Sequence, residues 1–147
     1  MIIIGIDPGV KTGVAFWDAR KKELLKVESG SLIAIYEMIL SDMELHFPAN
    51  DYFIRIEDAR KRKWFGENSK SKMQGAGSVK RDSKIWQEIC EYCGWPYQMI
   101  HPIKGATKWD SDKFQRVTGW QGRTNQNARD AAMMVYGLSE VYLKKDL

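Results

Sequence analysis

Three acidic residues stand at positions where chain folding should bring them to one place. Asp7 ends the apolar run IIIGI, Glu57 ends the strand-like segment YFIRI, and Asp130 lies in the first turns of a helical segment near the C-terminus. If the two strands are parallel neighbours, their carboxyl ends meet at one sheet edge, where ligands of open α/β folds collect. Clustered carboxylates repel one another unless a cation compensates them. The pattern therefore predicts a site for a hard divalent ion, Mg²⁺ or Mn²⁺.

Each acid also has an ordinary structural interpretation. Asp7 precedes Pro-Gly, where aspartate often accepts backbone hydrogen bonds in a turn. Glu57 is close in sequence to two arginines and Asp130 is next to one, so ion pairs could account for both. Asp58 competes with Glu57 for the cluster, but neighbouring residues of a strand point to opposite faces, so one of the two is expected to join it.

The elements that must position these acids follow from hydrophobic periodicity and turn residues. Strands at 2–6, 12–18 and 23–29 form an antiparallel meander whose first turn is DPGVKTG. Ser31 is a candidate N-cap for a helix that ends near 46. The later elements are a fourth strand in DYFIRIED, a helix at 78–93, a fifth strand at 97–100, a short helix at 108–117 and a terminal helix at 125–143. This order predicts an α/β domain with a mixed sheet.

Length and composition fit a single domain spanning 1–147. The 147 residues are 44% hydrophobic, and a chain of this size buries about 70% of its unfolded surface. The N-terminal apolar run is short and lacks a basic leader, which predicts neither a signal peptide nor a membrane span, and hence a cytoplasmic protein without a membrane partner. Cys90 and Cys93 form one C-x-x-C without the second pair of a zinc site, so reduced structural thiols are expected, with redox or metal roles as alternatives.

Positive charge is concentrated in one segment. Residues 60–84 carry nine basic and two acidic side chains, a net charge of +7, whereas the whole chain carries +4. Gly66, Gly75 and Gly77 predict a flexible loop at about 58–77 that leads into the helix. Lysine and arginine neutralise phosphates, and an exposed aromatic ring can stack on a base, so this basic segment favours a polyanion. A solvated loop without a ligand is the alternative.

The order of the motifs resembles a known family. IGIDPGVKTGVA, then a strand ending in IED, then an R-D-A-A helix near the C-terminus resemble the RuvC-like Holliday-junction resolvases of the ribonuclease H-like superfamily, most of all the compact bacteriophage versions. The resemblance covers most of the chain, including GAGSVKRDSKIW and HPIKGATKW. It implies a five-stranded mixed sheet flanked by helices, and a homodimer in the host cytoplasm that nicks a four-way DNA junction with two metal ions per active site. It further implies that Asp7 bridges both ions, that Glu57 holds one and that Asp130 holds the other.

A junction nuclease would also need contacts to the DNA backbone. The basic segment supplies most of the candidates, with Trp64 placed near the junction, and Arg123 precedes the terminal helix close to the predicted scissile phosphate. No small-molecule cofactor is expected. The residues predicted to contact DNA are Arg60, Lys61, Arg62, Lys63, Trp64, Lys80, Arg81 and Arg123.

One position departs from the family pattern. Family members commonly carry an Asp or a His three residues before the last acid, where this chain has Asn127. An amide oxygen can ligate Mg²⁺, but it adds no charge and cannot act as a base. His101 and Lys104 are candidates to complement the site, the first by orienting water and the second by neutralising phosphate. Simple packing of His101 before Pro102 is the alternative.

Three other functions stay open on the sequence. Asn127 is compatible with a catalytically weak or inactive protein that binds branched DNA. Hydrolysis of the RNA strand of an RNA–DNA hybrid would share the fold and the metals, although the basic segment suits branched DNA better. IGIDPGVKTGVAF is also similar to the first phosphate-binding hairpin of the sugar-kinase and actin superfamily, whose members need a second comparable domain that 147 residues do not supply.

Overall fold

A computed structural model describes residues 1–46, 51–61, 69–102 and 108–145. Strands and helices alternate along much of the chain, as the sequence pattern predicts for an α/β protein. The elements are β1 (Ile2–Asp7), β2 (Thr12–Asp18), β3 (Glu23–Gly30), α1 (Leu32–His46), β4 (Tyr52–Glu57), a 3₁₀ turn (Ala59–Lys61), α2 (Ser69–Cys93), β5 (Tyr97–Ile100), α3 (Ser111–Thr118), α4 (Gln126–Met133) and α5 (Glu140–Lys145).

The five strands form one mixed sheet in the order β3-β2-β1-β4-β5. Strand β1 pairs antiparallel with β2, and β2 pairs antiparallel with β3, which confirms the predicted meander. Strands β1 and β4 are parallel neighbours, and β5 adds to β4 in parallel. The predicted α/β class and mixed sheet are therefore confirmed, and the carboxyl ends of β1 and β4 meet at one edge.

The central strand β1 is buried on both faces, which explains its unbroken apolar sequence. Its even-numbered side chains pack in one core with Ile35 of α1 and Trp86 of α2. The odd-numbered Ile3 belongs to a second core, which contains Ala131 of α4. Strand β4 has the same alternation, since Phe53 lies in the core that contains α4. Odd-numbered residues at the ends of both strands therefore lie on the face that α4 covers.

Helix α2 begins at Ser69 rather than at the predicted 78. The prediction of a loop over 58–77 is therefore wrong for 69–77, and 59–61 form the 3₁₀ turn. Glycines in a helix interior cost about 1 kcal/mol each, which weakens a helix without ending it. Residues 62–68 of the predicted loop lie outside the described residues.

The predicted terminal helix is two helices, because the chain turns tightly after α4. The N–H groups of Met134 and Val135 donate to carbonyls three residues back, and Gly137 has a left-handed φ of 81°. The turn brings the Leu138 carbonyl to the indole N–H of Trp17, which donates to it at 2.9 Å. Met134 and Val135 are buried at this turn.

The predicted cap of α1 agrees with the structure. The Ser31 hydroxyl accepts the Ala34 N–H at 3.2 Å, which confirms it as the N-cap of α1. Among the described helices, none has the length and apolar character needed to cross a membrane. Cys90 and Cys93 are free thiols, and burial raises the pKa of Cys90 to about 12, so this thiol stays protonated at neutral pH.

Candidate metal and nucleic-acid site

A cavity of about 360 Å³ opens at the edge of the sheet where β1 and β4 end. Asp7, Glu57 and Asp130 all line it, and so do Asn127 and His101. The two strand-end acids are half-buried and lie on the face covered by α4, as their odd positions require. The structure thus brings together the three acids that the sequence singled out, together with the amide at the departing position.

The sheet ends at this cavity because prolines follow the strands that flank β4. The Ile2 N–H donates to the Asp51 carbonyl, and the register of β1 and β4 is unbroken as far as Ile6 and Ile56. Every second residue of β1 in this register directs its nitrogen to a carbonyl of β4. The Glu57 carbonyl therefore faces the nitrogen of Pro8, which has no N–H. On the β5 side the Asp58 N–H donates to the Ile100 carbonyl, and the next nitrogen of β5 in this series belongs to Pro102. The ladder stops just past Glu57 on both sides, which leaves room for a ligand.

Two glycines let α4 lie directly on the sheet. A Cβ added at Gly13 would overlap the Asn127 carbonyl oxygen, and one added at Gly5 would overlap the Ala131 carbonyl oxygen. Backbone therefore meets backbone at these two points. Because α4 is this close to β1 and β2, the side chains of Asn127 and Asp130 reach the same cavity as Asp7.

Helix α4 starts at a cap that orients its first turn. The Asn125 side-chain oxygen accepts the Ala128 N–H at 3.0 Å, and its amide nitrogen bonds to the Ser29 hydroxyl. Arg129 donates to the Trp109 and Thr124 carbonyls, at 2.9 and 2.8 Å. The guanidinium is therefore used to tie α4 to the chain before it, and the proposed ion pair with the neighbouring Asp130 is absent from the described contacts.

Asp130 instead has two partners that the sequence reasoning missed. The Gln126 amide donates to one carboxylate oxygen at 2.7 Å, and the Lys108 ammonium lies 3.7 Å from the other. The glutamine was open to prediction, since Gln and Asp four residues apart on a helix commonly pair. The lysine was not, because its approach depends on how the segment before α3 folds. The ammonium group of Lys108 thus partly neutralises the Asp130 carboxylate.

Asp58 and Glu57 point to opposite faces, as predicted. Asp58 is 4% exposed and receives the Arg60 backbone N–H at 3.0 Å, its Nε at 2.8 Å and its terminal nitrogen at 3.1 Å. Burial alone would raise the pKa of Asp58, but these hydrogen bonds and the charge of Arg60 lower it below its ordinary value. Asp58 is therefore an ionised structural residue, while Glu57 lines the cavity.

The predicted DNA-contacting residues that the structure describes lie on the 3₁₀ turn, on α2 and shortly before α4. Arg60 also donates to Gln87 at 2.7 Å, and the exposed Lys61 donates to the Met99 carbonyl at 3.1 Å. On α2, Val79 lines the cavity, while the next two residues, Lys80 and Arg81, are half-buried and exposed respectively.

The remaining predicted residues divide into two groups. Arg123 is exposed shortly before the α4 cap. His101 is exposed rather than packed, with Nδ1 3.0 Å from the Pro102 carbonyl. The others lie outside the described residues, and these are Arg62, Lys63, Trp64 and Lys104.

The oxygen ligands that line the cavity are of the kind that binds a hard divalent cation. Carboxylate and amide oxygens are the ligands that Mg²⁺ and Mn²⁺ prefer. Within the described ranges, no three His, Cys, Asp or Glu side chains lie close enough together to hold an ion as they stand. An ion at Asp130 would compete with the Lys108 ammonium for the carboxylate.

Comparisons with protein-family models, curated proteins and solved structures found no match to this chain. Its function is therefore inferred from the cavity residues and from the order of the motifs.

Proposed function

We propose that this protein is a structure-selective endonuclease that cleaves four-way DNA junctions by metal-dependent phosphodiester hydrolysis, with a ribonuclease H-like fold and RuvC-like chemistry. One observation carries the proposal. A single cavity at the end of two parallel strands collects Asp7, Glu57, Asp130 and Asn127, which are the positions onto which the motif resemblance projects metal ligands. A five-stranded mixed sheet, with an antiparallel meander and the parallel strands β4 and β5, is the arrangement that the resemblance implies.

Three acids would hold the metal in this proposal. Asp7 on the rigid central strand, Glu57 at the end of β4 and Asp130 on α4 would bind two Mg²⁺ or Mn²⁺ ions. When bound, such a pair of ions activates the attacking water and stabilises the leaving oxygen. Lys11 and Lys108 line the same cavity and would attract the scissile phosphate. The exposed His101 ring would orient water at the cavity mouth.

The positive charge supports a nucleic-acid substrate rather than a small anion. Residues 60–84 carry a net charge of +7. The C-terminal part of this segment lies on α2, whose residue Val79 lines the cavity. A DNA backbone that follows α2 would therefore arrive at the acids. Paired nicks in one junction require two active sites, so we expect a homodimer.

The test is cleavage of labelled four-way junction, linear duplex and RNA–DNA hybrid with Mg²⁺ and with Mn²⁺. We expect paired nicks in the junction alone, and their loss in Asp7→Asn. The matched control is Asp112→Asn, which removes an exposed acid from α3, and it should cleave like the unmodified protein. Cleavage of the hybrid alone would replace the proposal with a ribonuclease H-type activity, and cleavage by Asp7→Asn would refute the site.

Asn127 supports a second candidate, a branched-DNA-binding protein with little or no cleavage. Its amide lines the cavity at the position where the family pattern has an ionisable residue. An added carboxylate there should tighten metal binding, so Asn127→Asp is expected to raise the cleavage rate and lower the metal concentration needed. Junction binding without products in the parent protein, with products in Asn127→Asp, would favour the second candidate. If rate and metal dependence stay unchanged, Asn127 is a bystander.

A further inference from the structure

One buried hydroxyl joins α2 to the end of β4. Ser83 is fully buried, and its Oγ lies 3.1 Å from the Glu57 carbonyl oxygen and 3.1 Å from the Val79 carbonyl oxygen. The same oxygen accepts the Ala59 N–H at 3.3 Å. A serine hydroxyl has one hydrogen, so it is shared between two carbonyls, one on the helix and one on the strand.

The Ser83 hydroxyl stands at a point where the sheet itself offers the Glu57 carbonyl no backbone donor. Continuation of the parallel ladder would bring it an N–H from residue 8, but residue 8 is Pro8. Serine in a helix commonly bonds to the carbonyl four residues back, here Val79. The additional contact to Glu57 is therefore the unusual one, and it supplies the hydrogen bond that the proline removes.

A second connection reinforces the first. Arg60, three residues after Glu57, binds Asp58 at 2.8 Å and Gln87 of α2 at 2.7 Å. The Gln87 amide in turn donates to the Tyr97 hydroxyl at 3.3 Å. Backbone at Glu57 and immediately after it is thus tied to α2, and the same helix carries Lys80 and Arg81 within one turn of Ser83.

We propose that Ser83 is a positioning residue for Glu57, which it holds at a fixed distance from the DNA-facing surface of α2. This inference rests on the proposed function, since it assumes that Glu57 binds metal and that α2 binds phosphate. Loss of the hydroxyl would free the end of β4 from the helix, so Glu57 would hold the ion less well. Residues that orient a metal ligand from behind commonly affect metal affinity in this way.

The test is a titration of the DNA-free protein with Mn²⁺, followed by electron paramagnetic resonance of the free ion. Ser83→Ala is expected to weaken Mn²⁺ binding about tenfold. The matched control is Thr118→Val in α3, because the Thr118 hydroxyl likewise donates to a carbonyl four residues back, Phe114 at 2.6 Å, and accepts a backbone N–H, from Trp120 at 3.2 Å. Thr118→Val should lower the melting temperature and leave Mn²⁺ affinity unchanged.

A rescue variant separates positioning from stability. Ser83→Thr keeps the hydroxyl and should retain the affinity of the unmodified protein. Should Ser83→Ala fail to fold, Ser83→Cys takes its place, since a thiol keeps the volume but is a weak donor. A Ser83→Ala protein that melts earlier but binds Mn²⁺ normally would overturn the inference and leave the nuclease proposal standing. If the unmodified protein binds no Mn²⁺ and cleaves no junction, the proposed function itself fails.

Discussion

Two helices reach the same sheet edge and are attached to it by different physical means. Helix α4 lies on β1 and β2 backbone against backbone, at Gly5 and Gly13. Helix α2 is attached to the end of β4 through polar side chains, namely Ser83 and the pair Asp58 and Arg60. Close packing leaves no space for an added atom, whereas single hydrogen bonds contribute modestly and can be lost one at a time. The α4 attachment should therefore tolerate substitution least, and the α2 attachment should respond in steps.

The largest effect is expected from Gly13→Ala. The new methyl group would overlap the Asn127 carbonyl oxygen, which belongs to backbone and cannot rotate away. Helix α4 would have to lift from the sheet, at a cost of about 3 kcal/mol or more. Urea denaturation should show a large drop in the transition midpoint, and Mn²⁺ binding should fall with it because Asp130 moves away from Asp7.

A second glycine in the same sheet provides the control. A Cβ added at Gly30 would lie 3.4 Å from the Ala34 Cβ, which is ordinary van der Waals contact. Gly30→Ala should therefore leave the urea midpoint almost unchanged. Equal stability of Gly13→Ala and Gly30→Ala would show that α4 is not seated on the strands as described.

A smaller effect is expected at the α2 attachment, from Asp58→Asn. The substitution removes a carboxylate charge that receives three hydrogen bonds from Arg60. Since hydrogen bonds to charged groups are the stronger ones, the free energy of unfolding at pH 7 should fall by about 2 kcal/mol. The pKa of Asp58 is lowered in the folded protein. Its stabilisation is therefore present above the ordinary aspartate pKa of about 4, and it disappears as the pH falls through the lowered value.

Urea denaturation at a series of pH values checks this prediction. The difference in unfolding free energy between Asp58→Asn and the unmodified protein should be constant near neutral pH and should shrink in acid. Asp112→Asn, on the exposed surface of α3, should show little difference at any pH. A difference that grows in acid would mean that Asp58 is not ionised in the folded protein.

The smallest effect is expected from replacing Lys108, which lies beside Asp130 of α4. Lys108 lies 3.7 Å from the Asp130 carboxylate and is 71% exposed. An exposed pair of this kind contributes at most about 1 kcal/mol. Lys108→Met should therefore raise Mn²⁺ affinity by up to about fivefold, because the ion no longer competes with the ammonium. The control is Lys113→Met, since Lys113 lies over the Trp109 ring; an equal rise in both variants would indicate a general change in charge rather than release of Asp130.

Local patterns predicted most of the sheet because strands carry their signals in neighbouring residues. The apolar run before Asp7, the Pro-Gly turn and the alternation around Phe53 each act over a few positions, so β1, β2 and β4 lie where they were expected. Strand alternation also predicted that Glu57 and Asp58 point to opposite faces. The Asp130 prediction depended on motif order, since helix periodicity alone does not reveal which helix covers the edge.

The features that escaped prediction depend on contacts between distant parts of the chain. Apolar periodicity continues through 134–138, so the break between α4 and α5 is visible in advance solely as Gly137. Ser83 looks like any polar helix residue until the fold shows its hydroxyl at the Glu57 carbonyl, opposite a proline that cannot donate. The contact of Lys108 with Asp130 depends on the path of the chain just before α3. Such contacts carry no local periodicity.

The order of the elements along the chain has a consequence for synthesis. Strand β1 leaves the ribosome before the other described elements and becomes the centre of the sheet, while α4, which covers one of its faces, follows β5 and α3. The meander of β1 to β3 can form early, since its contacts are local. Until α4 arrives, the backbone at Gly5 and Gly13 stays uncovered and Asp7 lacks Asp130. Under the proposed function, a nascent chain without α4 lacks one of the three acids that would hold the metal.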